Sequence, residues 1–248
     1  MDIIDHVRDI KSKEWKINIK EYNGKQIYVI ENLLTKKNIE EFKNLINKIP
    51  NTAEVIDVGS NVQGYYNILQ DQMSIDDSKY YKFDIGLKTV EKTNKLNGIM
   101  HNDIQRYINM LDKIFNEVYE IINGINKDIN VKFNSNYILR IITGATRIHK
   151  DDIIKDKSFN LNQIMKYGEH IQFNMNTEIH RRLSTIIALN SNYDGGELVF
   201  PQQNVSIKLN EGDIICFPPY WTHPHRSNEL LNNTNRYTIT CWHGNIEE

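Results

Sequence analysis

The sequence lacks several features that would assign it to a specialised class of protein. Its only two cysteines, Cys216 and Cys241, are too few for a disulfide framework, and both lie in apolar runs typical of buried free thiols. No apolar run approaches the roughly 20 residues needed to span a bilayer. The N-terminus has no basic segment followed by a long apolar one, so no signal peptide is predicted. These absences predict a cytoplasmic protein without a membrane segment.

An excess of one sign of charge is also missing. The chain carries 30 Lys and Arg against 32 Asp and Glu, which gives a net charge of -2. A protein with so little net charge has no strong field to attract nucleic acid or an anionic membrane. The charge therefore argues against nucleic acid as a partner, and the sequence leaves the oligomeric state open.

Helical patterns are confined to the N-terminal part of the chain. Thr35 is a suitable N-cap for a helix that reaches about Lys48, since apolar residues recur on one face of this segment. A longer apolar stripe predicts a second helix over Asn102–Ile122, with Gly124 in the position of a C-terminal cap. Between the two helices, residues 51–99 carry weak signals that predict short strands and turns.

The pattern changes to period two after the second helix. Strand signals follow at residues 137–141, 183–189, 197–200, 205–209, 214–217 and 237–242. Short strands at this spacing indicate an antiparallel sandwich or barrel. The sequence therefore predicts an α+β fold with a mainly β core over residues 131–248, on which an N-terminal helical and mixed region, residues 1–130, packs. Residues 153–180 are polar and irregular, and they predict an excursion out of the core.

A His-x-Asp pair, His149 and Asp151, follows the first of these strands. Side chains two residues apart in an extended segment point the same way, so both could bind one metal ion. Two histidines and one carboxylate on one face leave coordination positions open, as in non-haem Fe(II) oxygenases. The pair alone is a weak signal, because a turn with a surface histidine has the same pattern.

The third ligand could come from His223 or His225, and we favour His225. Arg236 lies eleven residues beyond it, at the start of a strand, where a guanidinium could bind a carboxylate in a bidentate fork. Thr238 and Thr240 follow at period two and would line the same wall. A surface salt bridge for Arg236 and ordinary strand propensity for the threonines are the alternatives.

A series of motifs in this half of the chain has the order found in one enzyme family. The motifs are Leu139-Arg140-Ile141-Ile142-Thr143-Gly144, His149-x-Asp151, Arg182-Leu183-Ser184, Leu189-Asn190, Gly195-Gly196-Glu197-Leu198-Val199-Phe200, Gly212-Asp213, Phe217-Pro218-Pro219, Pro224-His225 and Arg236 to Trp242. In this order they resemble the Fe(II)- and 2-oxoglutarate-dependent dioxygenases, specifically the prolyl 4-hydroxylase-like branch. The chain departs from the family at Ile141 and Ala188, where the family often has tyrosines.

The resemblance implies a double-stranded β-helix, or jelly roll, buttressed by the N-terminal helices. It implies that His149, Asp151 and His225 hold Fe(II) and that Arg236, assisted by Thr240 and Thr238, binds 2-oxoglutarate. O2 would be the other co-substrate, with ascorbate as an optional addition. The implied reaction hydroxylates a C–H bond and releases succinate and CO2.

Three hypotheses about function follow from the sequence. The first is hydroxylation of a protein or peptide residue such as proline, and the second is the same chemistry on a free amino acid, a small metabolite or a methylated base. The third is a non-catalytic jelly-roll module that binds a metal. A small basic cluster, His180-Arg181-Arg182, is either a solvated strand entrance or a contact to an acidic or backbone-rich substrate.

Overall fold

The structure is a computed structural model. It describes residues 7–10, 18–22, 24, 26–48, 81–86, 101–127, 129, 131, 133–134, 137–146, 148–151 and 179–246. Of the weakly patterned stretch at 51–99, only residues 81–86 fall inside this range, and they form a strand as expected. The excursion predicted for 153–180 lies outside the described residues apart from its last two positions.

The described residues form two helices and fourteen strands. The helices are α1 (Lys36–Lys48) and α2 (His101–Ile125). The strands are β1 (Val7–Ile10), β2 (Asn18–Tyr22), β3 (Ile27–Glu31), β4 (Tyr81–Gly86), β5 (Phe133–Asn134), β6 (Ile138–Ile142), β7 (Ile179–Ala188), β8 (Asp194–Gly195), β9 (Leu198–Phe200), β10 (Val205–Ile207), β11 (Ile214–Phe217), β12 (Arg226–Ser227), β13 (Leu230–Leu231) and β14 (Arg236–Ile246).

The strands pair into antiparallel sheets. The main sheet has nine strands in the order β1-β2-β3-β11-β7-β14-β6-β4, with β5 paired to β14. A smaller sheet has the order β10-β9-β12, and β13 pairs with β8. Strands β1 to β4 come from the N-terminal region and extend the main sheet, so this region contributes strands as well as helices. The division of the chain at residue 130 stays a prediction.

Two separate apolar cores lie on the two faces of the main sheet. One core packs α1 and α2 against one face, and it includes Phe42, Leu111, Ile187 and Ile239. The other core fills the space between the main sheet and the smaller sheet, where Phe200 packs edge-on against Phe217 with ring centroids 5.0 Å apart. A sheet that faces a second sheet across such a core is the predicted mainly β jelly-roll arrangement.

Both predicted helices are present, and one of them is longer than expected. At the start of α1, the Asn38 backbone N–H donates to Thr35 Oγ1 at 3.2 Å, and the Thr35 N–H donates to Asn38 Oδ1 at 3.3 Å. Thr35 is therefore the N-cap, as predicted. The prediction that Gly124 caps the second helix was wrong, because α2 continues through Gly124 to Ile125. Among the described residues, no helix is long and apolar enough to cross a membrane.

A buried polar cluster joins α2 to the centre of the main sheet. The His243 ring on β14 is fully buried, and its Nδ1 hydrogen-bonds the Tyr119 hydroxyl of α2. Its Nε2 lies 2.7 Å from Thr185 Oγ1 of β7, and that hydroxyl also donates to the Cys241 carbonyl at 3.0 Å. Since both ring nitrogens have partners, this polar group can be buried at little cost.

We expect Phe115→Ala to be strongly destabilising. The Phe115 ring on α2 is fully buried, and its centroid lies 5.3 Å from that of Tyr137 and 5.0 Å from that of His243. Removing such a ring leaves a cavity and costs about 3–5 kcal/mol of unfolding free energy. Urea denaturation would measure the loss, and Glu120→Ala, at an exposed position of the same helix, is the matched control. Equal midpoints for the two variants would contradict this packing.

Candidate metal centre

The segments that carry the predicted ligands run antiparallel to each other. His149 and His225 form an isolated β-bridge, in which each backbone N–H donates to the other residue's carbonyl at 2.9 and 2.8 Å. Two to three residues away, the Thr146 N–H donates to the Ser227 carbonyl at 3.1 Å, and the Ser227 N–H donates to Thr146 Oγ1 at 2.7 Å. This pairing brings together two histidines that lie far apart in the sequence.

Asp151 completes a group of three potential donors. One ligand atom from each of His149, Asp151 and His225 lies within 4.8 Å of the others. The Nε2 atoms of His149 and His225 are each 3.7 Å from a carboxylate oxygen of Asp151. Donors that each lie about 2.1 Å from one ion are at most about 4.2 Å apart, so both distances fit a single metal. Two imidazoles and one carboxylate are the donor set used for non-haem Fe(II).

The protonation states of the buried donors also fit a metal site. Burial acts to raise the pKa of Asp151, but the nearby His225, His149 and Arg181 outweigh it and lower the pKa to about 2. Burial lowers the pKa of His225 to about 4, although Asp151 acts in the opposite direction. At neutral pH the carboxylate is therefore ionised and the imidazole is neutral, which are the forms that bind metals.

The surroundings of His225 fix the orientation of its ring. Its Nδ1 lies 3.1 Å from the His223 carbonyl, which can only accept, so Nδ1 carries the proton and Nε2 is left with its lone pair. The ring packs against Phe200 and Phe217, with centroids 5.6 and 4.7 Å away. The His223 ring instead pairs with Thr222 Oγ1, at 2.9 Å from Nδ1. Among the described residues, the donor group includes His225 and leaves out His223.

Asp151 is held by residues that the sequence had not singled out for this role. Ser184 Oγ donates to Asp151 Oδ2 at 2.8 Å, and Trp242, which lines the same cavity, helps to lower the pKa of the carboxyl. The Arg181 guanidinium donates to the Asp151 carbonyl at 2.9 Å and lies 4.2 Å from the centroid of the Trp242 ring. These contacts orient a ligand in the way that outer-shell partners do in metal sites. Only the Arg182-Leu183-Ser184 motif pointed towards Ser184.

A cavity between the two sheets contains all six residues that the sequence assigned to the site. Alternate residues of β14 face this cavity, and Ile186 and Leu198 supply part of its apolar wall. The six predicted residues in its lining are His149, Asp151, His225, Arg236, Thr238 and Thr240. The period-two spacing of the last three therefore has the expected consequence, since one face of a strand carries every second side chain.

Arg236 is a buried cation in the wall of the cavity. Its Nη1 donates to the Gly196 carbonyl at 2.6 Å and its Nη2 donates to Ser227 Oγ at 2.7 Å. The start of β14 is held in place by Asn190, whose side chain accepts from the Tyr237 N–H and donates to the Asn235 carbonyl. The alternative of a surface salt bridge for Arg236 does not fit a side chain that is buried in a cavity.

The two threonines differ in their contacts. Thr240 Oγ1 accepts a hydrogen bond from Arg140 at 3.4 Å. Thr238 Oγ1 is fully buried and has no hydrogen-bond partner among the described residues. A buried hydroxyl without a partner is costly, so its position in the cavity wall indicates that a polar ligand belongs there. The cavity therefore fits a bound molecule that carries an anionic or polar end.

Two expectations about neighbouring residues need correction. The basic cluster at 180–182 lies within β7 and not before it. A tryptophan in the apolar, proline-rich turn before His223 is expected in the core or the site wall, but Trp221 is 70% exposed. Ile141, where the family often has a tyrosine, packs in the helix-side core, while Arg140 and Ile142 face the cavity, because successive strand residues point to opposite faces.

A model of the 2OG-Fe(II) oxygenase superfamily matches residues 158–244, which include His225 and Arg236. The predicted resemblance to this superfamily is confirmed. The superfamily implies Fe(II), 2-oxoglutarate and O2, and the donor set of the cavity fits the metal. No curated protein matches the chain in sequence.

Solved structures of two prolyl hydroxylases are similar to this chain. One is a viral collagen prolyl hydroxylase from Paramecium bursaria Chlorella virus-1 in its 2OG complex, with 15% identity, a TM-score of 0.52 and coverage of 91% of this chain and 98% of that chain. The other is a Trichoplax adhaerens prolyl hydroxylase in complex with a hypoxia inducible factor peptide fragment, with 14% identity, a TM-score of 0.52 and coverage of 90% and 84%. At these identities, the likeness shows the shared jelly-roll fold.

Metal binding should distinguish the two histidines of the turn. We expect His225→Ala to weaken the binding of Mn(II) roughly a hundredfold or more, since even the loss of an outer-shell partner costs about 10- to 100-fold. His223→Ala should bind the ion as the unmodified protein does, because His223 supports His225 through its backbone carbonyl, which alanine retains. Calorimetric titration with Mn(II) measures both affinities, and equal losses in the two variants would contradict the assignment.

Proposed function

We propose that the chain is an Fe(II)- and 2-oxoglutarate-dependent dioxygenase that hydroxylates a C–H bond of a protein or peptide residue, with proline as the first candidate. The observation that carries the proposal is the group of His149, Asp151 and His225 in one cavity with the buried cation Arg236. A metal bound without an anion site, or an anion site without metal donors, would not support this reaction.

The proposed roles follow from the contacts of each residue. His149, Asp151 and His225 hold Fe(II), and Arg236 binds the distal carboxylate of 2-oxoglutarate with Thr238 and Thr240 beside it. Fe(II), when bound, supplies the activation of O2 that is coupled to the oxidative decarboxylation of 2-oxoglutarate. The buried cation neutralises a carboxylate in a site with little water, where a charge-assisted hydrogen bond is strong.

The residues around the metal donors orient the Asp151 carboxylate and exclude water from the cavity. Ser184 Oγ holds the Asp151 carboxylate, so that its rotation is restricted before any ligand arrives. Ile186 and Leu198 present apolar side chains to the cavity and exclude water from it. These residues act by positioning and by excluding solvent, while the bound metal supplies the redox chemistry.

A protein or peptide substrate is supported by the exposure of the site. The His149 side chain is 35% exposed among the described residues, whereas those of Asp151 and His225 are buried, so the donor group is reached from the side of His149. A residue presented by a polypeptide could enter from this side. The two similar structures are of prolyl hydroxylases, one of them bound to a peptide, which adds support for this class of substrate.

The protein, supplied with Fe(II), 2-oxoglutarate, ascorbate and air, is expected to release succinate, and a proline-containing peptide should increase the rate. Asp151→Ala should abolish succinate release, because it removes a ligand and leaves the buried His225 without its partner. Glu229→Ala removes an exposed carboxylate and is the matched control. Mass spectrometry measures both the succinate and the peptide. One hydroxylation adds one oxygen atom to the peptide, an increase of about 16 mass units.

Two other results would contradict parts of the proposal. If only a free amino acid or an alkylated oligonucleotide stimulates succinate release, the proposed peptide substrate is wrong and the proposed chemistry is retained. A complete lack of succinate, with no visible charge-transfer band when Fe(II) and 2-oxoglutarate are added without air, would overturn the enzyme and favour a metal-binding module.

A further inference from the structure

A second, smaller cavity adjoins the Arg236 side of the metal centre. It shares four lining residues with the first cavity, namely Ile186, Leu198, Arg236 and Thr238. Its lining also includes Tyr193, from the loop between β7 and β8, and Ala188 at the end of β7. The Arg236 guanidinium is therefore bordered by the phenol of Tyr193, a residue that the sequence did not assign to the site.

Tyr193 is held firmly beside this cation. Its side chain is only 3% exposed and packs against Ile142 and Leu230. The Arg236 guanidinium lines the same small cavity and lies close enough to the Tyr193 hydroxyl to act on its pKa. The Lys208 ammonium donates to the Tyr193 carbonyl and lies 4.9 Å from the ring centroid. The Tyr193 ring is thus held at the cavity wall by packing and by Lys208, with the guanidinium nearby.

Gly196 makes this arrangement possible. A Cβ at this position would lie 2.6 Å from Leu230 Cδ2 and 3.2 Å from Tyr193 Cε2, and the backbone has a φ of +70° that side chains rarely allow. The Gly196 carbonyl also accepts the hydrogen bond from Arg236 Nη1. The same glycine therefore leaves room for the Tyr193 ring and orients the guanidinium next to it.

The hydroxyl of Tyr193 is in the form that donates a hydrogen bond. Burial raises the pKa of the phenol above its usual value, and the opposing effect of Arg236 does not cancel it. An arginine can only donate, so it has no lone pair to take the phenol proton, which is available for another acceptor. Thr238 Oγ1, buried without a partner among the described residues, lines the same small cavity. Two hydroxyls and a guanidinium together form a site for a carboxylate.

We propose that Tyr193 is a binding residue for the distal carboxylate of 2-oxoglutarate, to which its hydroxyl donates a hydrogen bond beside Arg236. This inference rests on the proposed function, since it assumes that 2-oxoglutarate occupies the cavity. The phenol comes from the loop after β7, whereas Ala188 on the strand itself has no polar group to offer. Tyr193 would thus help to select a co-substrate with a second carboxylate over a shorter or apolar 2-oxo acid.

The test compares two 2-oxo acids in Tyr193→Phe, a change that keeps the ring and removes only the hydroxyl. Binding to the Mn(II)-loaded protein is measured by calorimetry, for 2-oxoglutarate and for 2-oxopentanoate, which has a methyl group in place of the distal carboxylate. We expect the Kd of 2-oxoglutarate to rise about tenfold, as for the loss of one hydrogen bond to a charged group, and that of 2-oxopentanoate to stay unchanged. Tyr237→Phe, on the helix side of β14, is the matched control.

The results of this test distinguish a failure of the proposed function from a failure of the role of Tyr193. If the unmodified protein does not bind 2-oxoglutarate with Mn(II), the proposed function itself fails. If it binds and Tyr193→Phe binds equally well, only the role of Tyr193 is overturned. Equal weakening for both acids would also overturn it, because the ring would then act through packing. A crystal structure of the unmodified protein with Mn(II) and 2-oxoglutarate gives an independent answer: a Tyr193 hydroxyl more than about 3.5 Å from the distal carboxylate contradicts the proposal.

Discussion

Two backbone hydrogen bonds between His149 and His225 determine the geometry on which the site depends. They are made by main-chain atoms, so they set the separation of the two backbone segments from which the imidazoles extend. The adjoining Thr146–Ser227 pair extends the contact and places Ser227 against Arg236. This short antiparallel contact thereby connects the potential metal donors to the buried cation in the cavity wall.

The electrostatics of the cavity follow from burial. An ionised Asp151 would be costly alone in an apolar interior, which favours the neutral form of His225. The two side chains lie 3.7 Å apart, where the carboxylate acts against the effect of burial on the imidazole. Arg236 is a second buried charge whose hydrogen bonds go to neutral oxygens of Gly196 and Ser227. The site therefore carries fixed charges before any ligand enters, and a dianionic co-substrate together with a divalent cation suits them.

Much of this arrangement could be predicted where a strand pattern determines it. The spacing of Arg236, Thr238 and Thr240 is enough to place them on one face of β14, and the position of Arg236, eleven residues beyond His225, was enough to prefer His225 over His223. The contacts of Ser184 and Tyr193 could not be predicted, since they depend on the register between β7 and β14 and on the backbone of Gly196. The placement of Ile141 on the helix side could not be predicted either, because the sequence does not reveal which of the two faces of β6 meets the cavity.

The cluster of Tyr119, Thr185 and His243 has a consequence for how the site is supported. His243 follows Trp242 directly, so neighbouring residues of β14 place one side chain in the cavity beside Asp151 and the other against α2 on the opposite face. On β7, Ser184 donates to Asp151 on the cavity face, and the next residue, Thr185, hydrogen-bonds His243 on the helix face. The helix α2 therefore supports β7 and β14 from the face of the sheet opposite the cavity. The rigidity of the cavity face depends partly on this support.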